Sequence, residues 1–186
     1  MAKLKILGIA GSLREGSFNK SALRAAQQLV PSDAEIETFD LKGIPPFNED
    51  DEKNPSERVV EFKKKIREAD AVLFVTPEYN YSIPGVLKNA IDWASRPYGD
   101  SAWAGKPAAM MGASLGNLGS ARAQYHLRQV FIFLTVHEMK QPELMIANAS
   151  QKFDAQGNLT DEPTKEHLRR FLAAFVAHIK NLQHQH

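Results

Sequence analysis

Short apolar runs and helical stripes alternate along the whole chain. Leu4 to Ala10 is a short, mostly apolar run that ends in a Gly-Ser loop and reads as a buried strand. Ala22, Leu23, Ala26, Leu29 and Val30 then recur at helical spacing until Pro31 stops them. Glu35 to Asp40 alternates polar and apolar, as an edge-type strand does. Val59, Phe62, Ile66 and Ala69 mark a second helix, and Ala71 to Val75 is the clearest buried strand, ended by Thr76-Pro77. Pro84 opens a helix carrying Val86, Leu87, Ala90, Ile91 and Ala94. Pro107 to Met111 is a fourth strand, Ala121 to Phe133 a helix, and a weaker strand lies within Met139 to Ile146. The last helix carries one stripe of Leu168, Phe171, Leu172, Phe175, Val176 and Ile179.

Five strands alternating with five helices imply an α/β fold, a parallel sheet covered on both faces. Right-handed crossovers leave few topologies, though the pattern alone does not give the strand order. With 186 residues and no linker or repeat, the chain reads as a single domain over 1–186. The segment Leu41 to Pro55, with three prolines and the acidic run Glu49-Asp50-Asp51-Glu52, is longer than most connections; such loops are often functional.

Composition removes several functions. Lys plus Arg (23) nearly balances Asp plus Glu (22), which gives no case for a nucleic-acid partner. Cysteine is absent, so there is no disulfide, thiol nucleophile or dithiol redox pair, and any redox chemistry needs a bound cofactor. No apolar run is long enough to span a bilayer, and the start lacks signal-peptide character, so the expected location is cytoplasmic with no membrane partner. The histidines are scattered without ligand spacing; no metal site is expected, and the tail His184-Gln185-His186 reads as a frayed terminus.

Three strands end in unusual loops, and all three should lie at the carboxyl edge of the sheet, where such sheets bind ligands. The first runs from Gly11 to Lys20, with Ser12, Arg14, Ser17 and Asn19 before a helix. Free N–H groups at that helix start favour a phosphate, and Arg14 can hold one through two parallel hydrogen bonds. The plainer alternative is that Ser17 or Asn19 only caps the helix and Arg14 is a solvated charge. The loop lacks the Gly-Lys-Ser/Thr of a P-loop and the spacing of a dinucleotide fingerprint, so a mononucleotide is expected. The second loop, Thr76 to Gly85, holds Glu78, Tyr79, Asn80, Tyr81 and Ser82 between Pro77 and Pro84. A flat heteroaromatic ligand needs such a stiff wall with donors along one edge; a turn whose tyrosines pack on a neighbouring helix is the alternative. The third, Gly112 to Gly119, is glycine-rich and suits close backbone approach, or equally a flexible lead into the next helix.

Gly-Ser-Leu-Arg-x-x-Ser-Phe-Asn, from Gly11 to Asn19, resembles the phosphate loop of the NADPH-dependent FMN reductases. Pro77 to Gly85, running on through Leu87-Lys88-Asn89-Ala90-Ile91-Asp92-Trp93, matches that family's second signature, nearest to its bacterial chromate and quinone reductases. The resemblance implies a flavodoxin-like three-layer sandwich with strand order 2-1-3-4-5. It implies FMN, bound non-covalently, with NADPH or NADH as co-substrate. Ser12, Arg14, Ser17 and Asn19 would hold the phosphate with Phe18 beside them; Pro77, Glu78, Tyr79, Asn80 and Tyr81 would border the ring; Ser114 and Gly116 would approach its other side. Where the family often has two adjacent glycines, this chain has Gly119-Ser120, which leaves the course of the third loop open. The family also implies a homodimer or homotetramer, with the helix after Pro84 at the interface.

The expected reaction is hydride transfer from the nucleotide through FMN to a small-molecule acceptor: a quinone, azo compound, chromate or free flavin. The flavin carries the chemistry, so no catalytic side chain is assigned, and Glu78 is expected to fix its loop rather than act as an acid. Arg14, Arg96 and Lys106 are candidates for the 2′-phosphate of NADPH. A flavodoxin-type electron carrier is the rival, though such carriers are usually strongly acidic. A phosphorelay receiver would need acidic residues where Ala10-Gly11 and Thr76-Pro77 stand, and a flavin-free regulator a broken phosphate loop.

Overall fold

The computed structural model describes residues 3–184. Gln185 and His186 of the terminal histidine tail lie outside the described residues. The strands β1 (Leu4–Ala10), β2 (Ala34–Phe39), β3 (Ala71–Val75), β4 (Pro107–Ala113), β5 (His137–Glu138) and β6 (Leu144–Ile146) alternate with α1 (Phe18–Leu29), α2 (Glu57–Glu68), α3 (Gly85–Ala94), α4 (Ala121–Leu134) and α5 (Glu162–Gln183). All pairs are parallel, in the order β2-β1-β3-β4-β5, and β6 pairs with β4 beyond β5. The 2-1-3-4-5 order implied by the resemblance is the order found.

Two cores flank the sheet. Every residue of β3 is buried, so its run of Ala, Val, Leu, Phe and Val has no polar face. On one side α1 and α5 pack Leu23, Ala26, Leu168, Phe171, Leu172 and Phe175 against Ile6, Leu73 and Met111. On the other, Phe62, Ile66, Leu87, Ile91, Trp103 and Phe131 cover Ile9, Val72, Phe74 and Met110. Buried Trp103 satisfies its indole by donating to the Ile91 carbonyl at 2.9 Å.

Four features differ from the sequence reading. The weak fifth strand is two pieces, and one of them, His137–Glu138, precedes the expected range. Pro142 lies between them and has no N–H for a ladder. The fourth strand runs on to Ala113 instead of stopping at Met111, because Gly112 belongs in it: a Cβ there would collide with the Thr76 carbonyl and Ser120 Oγ. The segment Leu41 to Pro55 straps α3. The Pro45 carbonyl accepts from Asn89 Nδ2 and Trp93 Nε1, both at 2.8 Å, and Phe47 meets Trp93 edge-on at 5.0 Å. Finally, most of the apolar side chains of α3 lie inside: Leu87, Ile91 and Trp93 are each 2% exposed or less, while Val86 is half-buried.

Gly112→Ala is expected to lower the unfolding free energy by about 3 kcal/mol, since rigid backbone and a fully buried serine must both move. A urea denaturation curve matching the wild type would contradict this packing account.

Candidate active site at the carboxyl edge

The loops after β1, β3 and β4 meet at one edge. In the first, the Ser17 hydroxyl accepts the Asn19 N–H at 3.2 Å and so caps α1. Phe18 and Asn19 are thus the first residues of the helix, not of the loop. Ser12 and Ser17 are 4% and 3% exposed, hydroxyls sunk into the base of the loop. Arg14 is exposed and has no ion-pair partner among the described residues. Buried hydroxyls, first-turn N–H groups and an unpaired guanidinium form a donor set that fits a phosphate. Asn19 is 3% exposed, and its carboxamide is engaged elsewhere: Nδ2 donates to the Ala113 carbonyl and Oδ1 accepts the Ala113 N–H, both at 2.9 Å. Phe18 packs against Phe153 at 5.7 Å between ring centroids.

The second loop is a two-residue hairpin. Tyr79 and Ser82 exchange main-chain hydrogen bonds at 2.9 Å, with Asn80 at φ 49° and Tyr81 at φ 66° between them. Two left-handed residues match the strand twist of a tight hairpin; asparagine accepts that conformation readily, tyrosine at a cost of about 1–2 kcal/mol. Both tyrosine rings are exposed, at 51% and 67%.

Side chains of α4 bolt the hairpin down. Glu78 accepts the N–H groups of Arg122 at 3.0 Å and Ala123 at 3.3 Å and pairs with the Arg122 guanidinium. Ser120, at the N-cap position of α4, makes no capping bond, so a carboxylate from another loop caps this helix. Arg122 lies 3.6 Å over the Tyr81 ring, and Ser82 Oγ hydrogen-bonds His126 Nδ1 at 2.8 Å. The Glu78 hydrogen bond holds the guanidinium pKa above its ordinary value. The expectation that Glu78 fixes its loop matches this geometry.

The third loop is pinned to the segment after β6. Ser114 donates its hydroxyl to the Gly116 carbonyl at 3.0 Å, and Asn148 N–H reaches the same carbonyl at 3.1 Å. A side chain at Gly116 would meet nothing within 4 Å, which leaves room for a ligand. Gly119 and Ser120 are both left-handed, at φ 54° and 65°, and a Cβ on Gly119 would lie 2.7 Å from the Ile146 nitrogen. The serine therefore takes a conformation that a second glycine would hold without strain. Its hydroxyl meets Gln124 Nε2 at 3.3 Å.

All twelve expected site residues lie on these loops or the turn that follows. Two other expectations fail on position. Lys106 precedes β4, at the opposite edge, where it donates to the Ala69 carbonyl at 2.6 Å, and burial lowers its pKa. Arg96 follows the end of α3 remote from the loops and pairs with Glu52 at 3.2 Å. Neither faces the site. Sequence reasoning missed Arg122 and His126. A clue was present: an arginine in the first turn of a helix opposes the helix dipole and needs an acid from elsewhere.

The profile of the NADPH-dependent FMN reductase family matches residues 4–151. The chain belongs to this family. It is 52% identical over 181 residues to an NAD(P)H-dependent FMN reductase of Pseudomonas aeruginosa, covering 97% of each chain. It is 45% identical over 178 residues to a 2-hydroxy-1,4-benzoquinone reductase of Burkholderia, covering 96% of this chain and 97% of that one. Among solved structures it resembles FerB, a flavoenzyme NAD(P)H:(acceptor) oxidoreductase from Paracoccus denitrificans, with a TM-score of 0.89 and 39% identity over 96% of this chain and 98% of that one. This FMN reductase family member is an oxidoreductase of flavodoxin-like fold that works with FMN and a nicotinamide nucleotide.

Replacing Glu78 by alanine removes the cap of α4 and the partner of Arg122. A loss of about 1–2 kcal/mol in unfolding free energy is expected, with faster proteolysis between Tyr79 and Ser82. Glu78→Gln keeps a cap acceptor and should lose less.

Proposed function

We propose that this FMN reductase takes hydride from NADPH or NADH and delivers it to quinones or similar small acceptors, the two substrates alternating at one site. The observation that carries this reading is the junction of a phosphate-type loop, bearing an unpaired Arg14, with a rigid hairpin whose tyrosines stand exposed at the same sheet edge. When bound, FMN supplies the two-electron chemistry, accepting hydride and passing it on. The chain's own residues bind and orient. Ser12, Ser17 and Arg14 hold the phosphate, with Phe18 beside them. Pro77, Glu78, Tyr79, Asn80 and Tyr81 border the ring, and Ser114 and Gly116 approach its other side. No side chain moves a proton at a reacting carbon.

Substrate class follows from the rim. Leu13, Tyr79, Tyr81, Leu115 and Leu118 are each at least 43% exposed, and they belong to the three loops. An apolar rim around an open site suits a planar, weakly polar acceptor such as a quinone. The relatives named above are reductases, and the near-zero net charge also favours an enzyme over an acidic electron carrier. We place the protein in the cytoplasm, where nicotinamide nucleotides are available as reductant. Among the described residues, no helix is long and apolar enough to cross a membrane.

A homodimer or homotetramer is part of this reading, with a changed interface. Away from the rim, an exposed apolar patch lies on α4: Ile132 and Phe133 are each 78% exposed. Phe133 shares a cavity of about 480 Å³ with Tyr98, which is 75% exposed. Such a patch favours association with a second copy.

Three experiments test this reading. Titrating the apoprotein with FMN should generate bound-flavin absorbance, and the loaded protein should oxidise NADPH or NADH with benzoquinone, giving parallel double-reciprocal lines. Protein that gains no flavin absorbance sinks the reading. Arg14→Ala should raise the FMN dissociation constant about tenfold to a hundredfold and leave riboflavin binding unchanged, as expected for one lost charged contact to phosphate. Phe133→Glu should lower the mass seen by light scattering at micromolar concentration; an unchanged mass would remove α4 from the interface.

A further inference from the structure

Alternate residues of a parallel strand turn both main-chain groups toward the same neighbour. On β4, Met111 faces β3, and its carbonyl accepts the Thr76 N–H at 3.0 Å. Ser114 faces the other way, donating its N–H to the Ile146 carbonyl at 3.0 Å. Ala113, two residues beyond Met111, therefore presents its N–H and carbonyl on the β3 side. But β3 ends at Val75, and neither the Thr76 carbonyl nor the Glu78 N–H, the groups a longer β3 would offer, bonds to Ala113. Ala113 is 2% exposed, so neither group has water to turn to. The carboxamide of Asn19 takes the place of the missing strand, meeting both groups at 2.9 Å.

Asn19 belongs to the first turn of α1, and its own N–H is held by the capping Ser17. One side chain thus joins the phosphate loop to the residue before Ser114. We propose that Asn19 is a positioning residue that acts through Ala113, setting the gap between the phosphate anchor and the ring-side loop, rather than a phosphate ligand. This inference rests on the flavin-site reading above. A direct ligand would have kept its polar atoms for the ligand; here both are committed to main chain in a buried setting. Its effect must therefore reach the ring as much as the phosphate.

The test compares FMN with riboflavin, which has the same ring and no phosphate, in equilibrium titrations of the apoprotein. Two variants are used. Asn19→Ala removes both bonds; Asn19→Asp keeps the size of the side chain but sets a carboxylate oxygen against the Ala113 carbonyl, and carries the test if the alanine variant does not fold. Both flavins are expected to bind at least tenfold more weakly, by a similar factor, with an altered visible circular dichroism of the bound ring. A loss confined to FMN would make Asn19 a phosphate ligand and overturn the proposal. Unchanged binding of both, with only a lower melting temperature, would reduce Asn19 to a stabilising contact and overturn it as well. If the wild type binds neither flavin, the flavin-site reading itself fails, and that outcome is distinct from the other two.

Discussion

Where a parallel sheet stops, the main-chain groups of its last residues still need partners. Much of the candidate site is built from the answers to that demand. Gly11 extends the β1 ladder by donating to the Val75 carbonyl at 2.9 Å, and Thr76 extends β3 by donating to Met111. Beyond them the ladders stop, and a side chain from α1 completes β4 at Ala113. Each of these bonds joins the segment at the end of one element to a different strand. Satisfying the edge of the sheet therefore also fixes the loops relative to each other, before any ligand arrives.

The same economy governs the helix starts. Ser17 caps α1 locally, which leaves Arg14 free beside it. The start of α4 has no local cap: Ser120 is left-handed and buried where Gly112 and Gly119 let the segment before α4 come close to β4 and β6. Glu78 fills that role from across the edge and neutralises an arginine that would otherwise face the positive end of its own helix. An acidic residue beside the expected ring thus has a structural employment. Its two cap bonds and its ion pair hold the strained turn at Asn80 and Tyr81 in place.

Legibility in the sequence followed the length of the hydrophobic pattern. Strands such as Ala71–Val75 and helices such as Glu162–Gln183 bury continuous faces, so their composition declares them. The divided fifth strand has two and three residues in its pieces, too few for any period to show. The end of β4 was hidden for another reason. Gly112 looks like a loop residue until the approach of Thr76 and Ser120 shows why no side chain fits. Counting the apolar residues of α3 does not tell which neighbour covers them; the Pro45 to Phe47 strap and Trp103 do.

By itself the sequence determined the α/β class, the three loops at one edge and, through two motifs at that edge, the family and its cofactor. These are local properties: a run of residues carries its own period, its turn chemistry and its signature. Tertiary structure decided which charged and polar groups remain available. Arg14 is left open, Arg96 is paired with Glu52, Lys106 is carried to the far edge, and Asn19 is joined to Ala113. Availability depends on partners as much as 94 positions away in the chain. No local pattern encodes such a pairing, because it arises only when the ladders and helix ends come together and their unpaired groups compete for the side chains within reach.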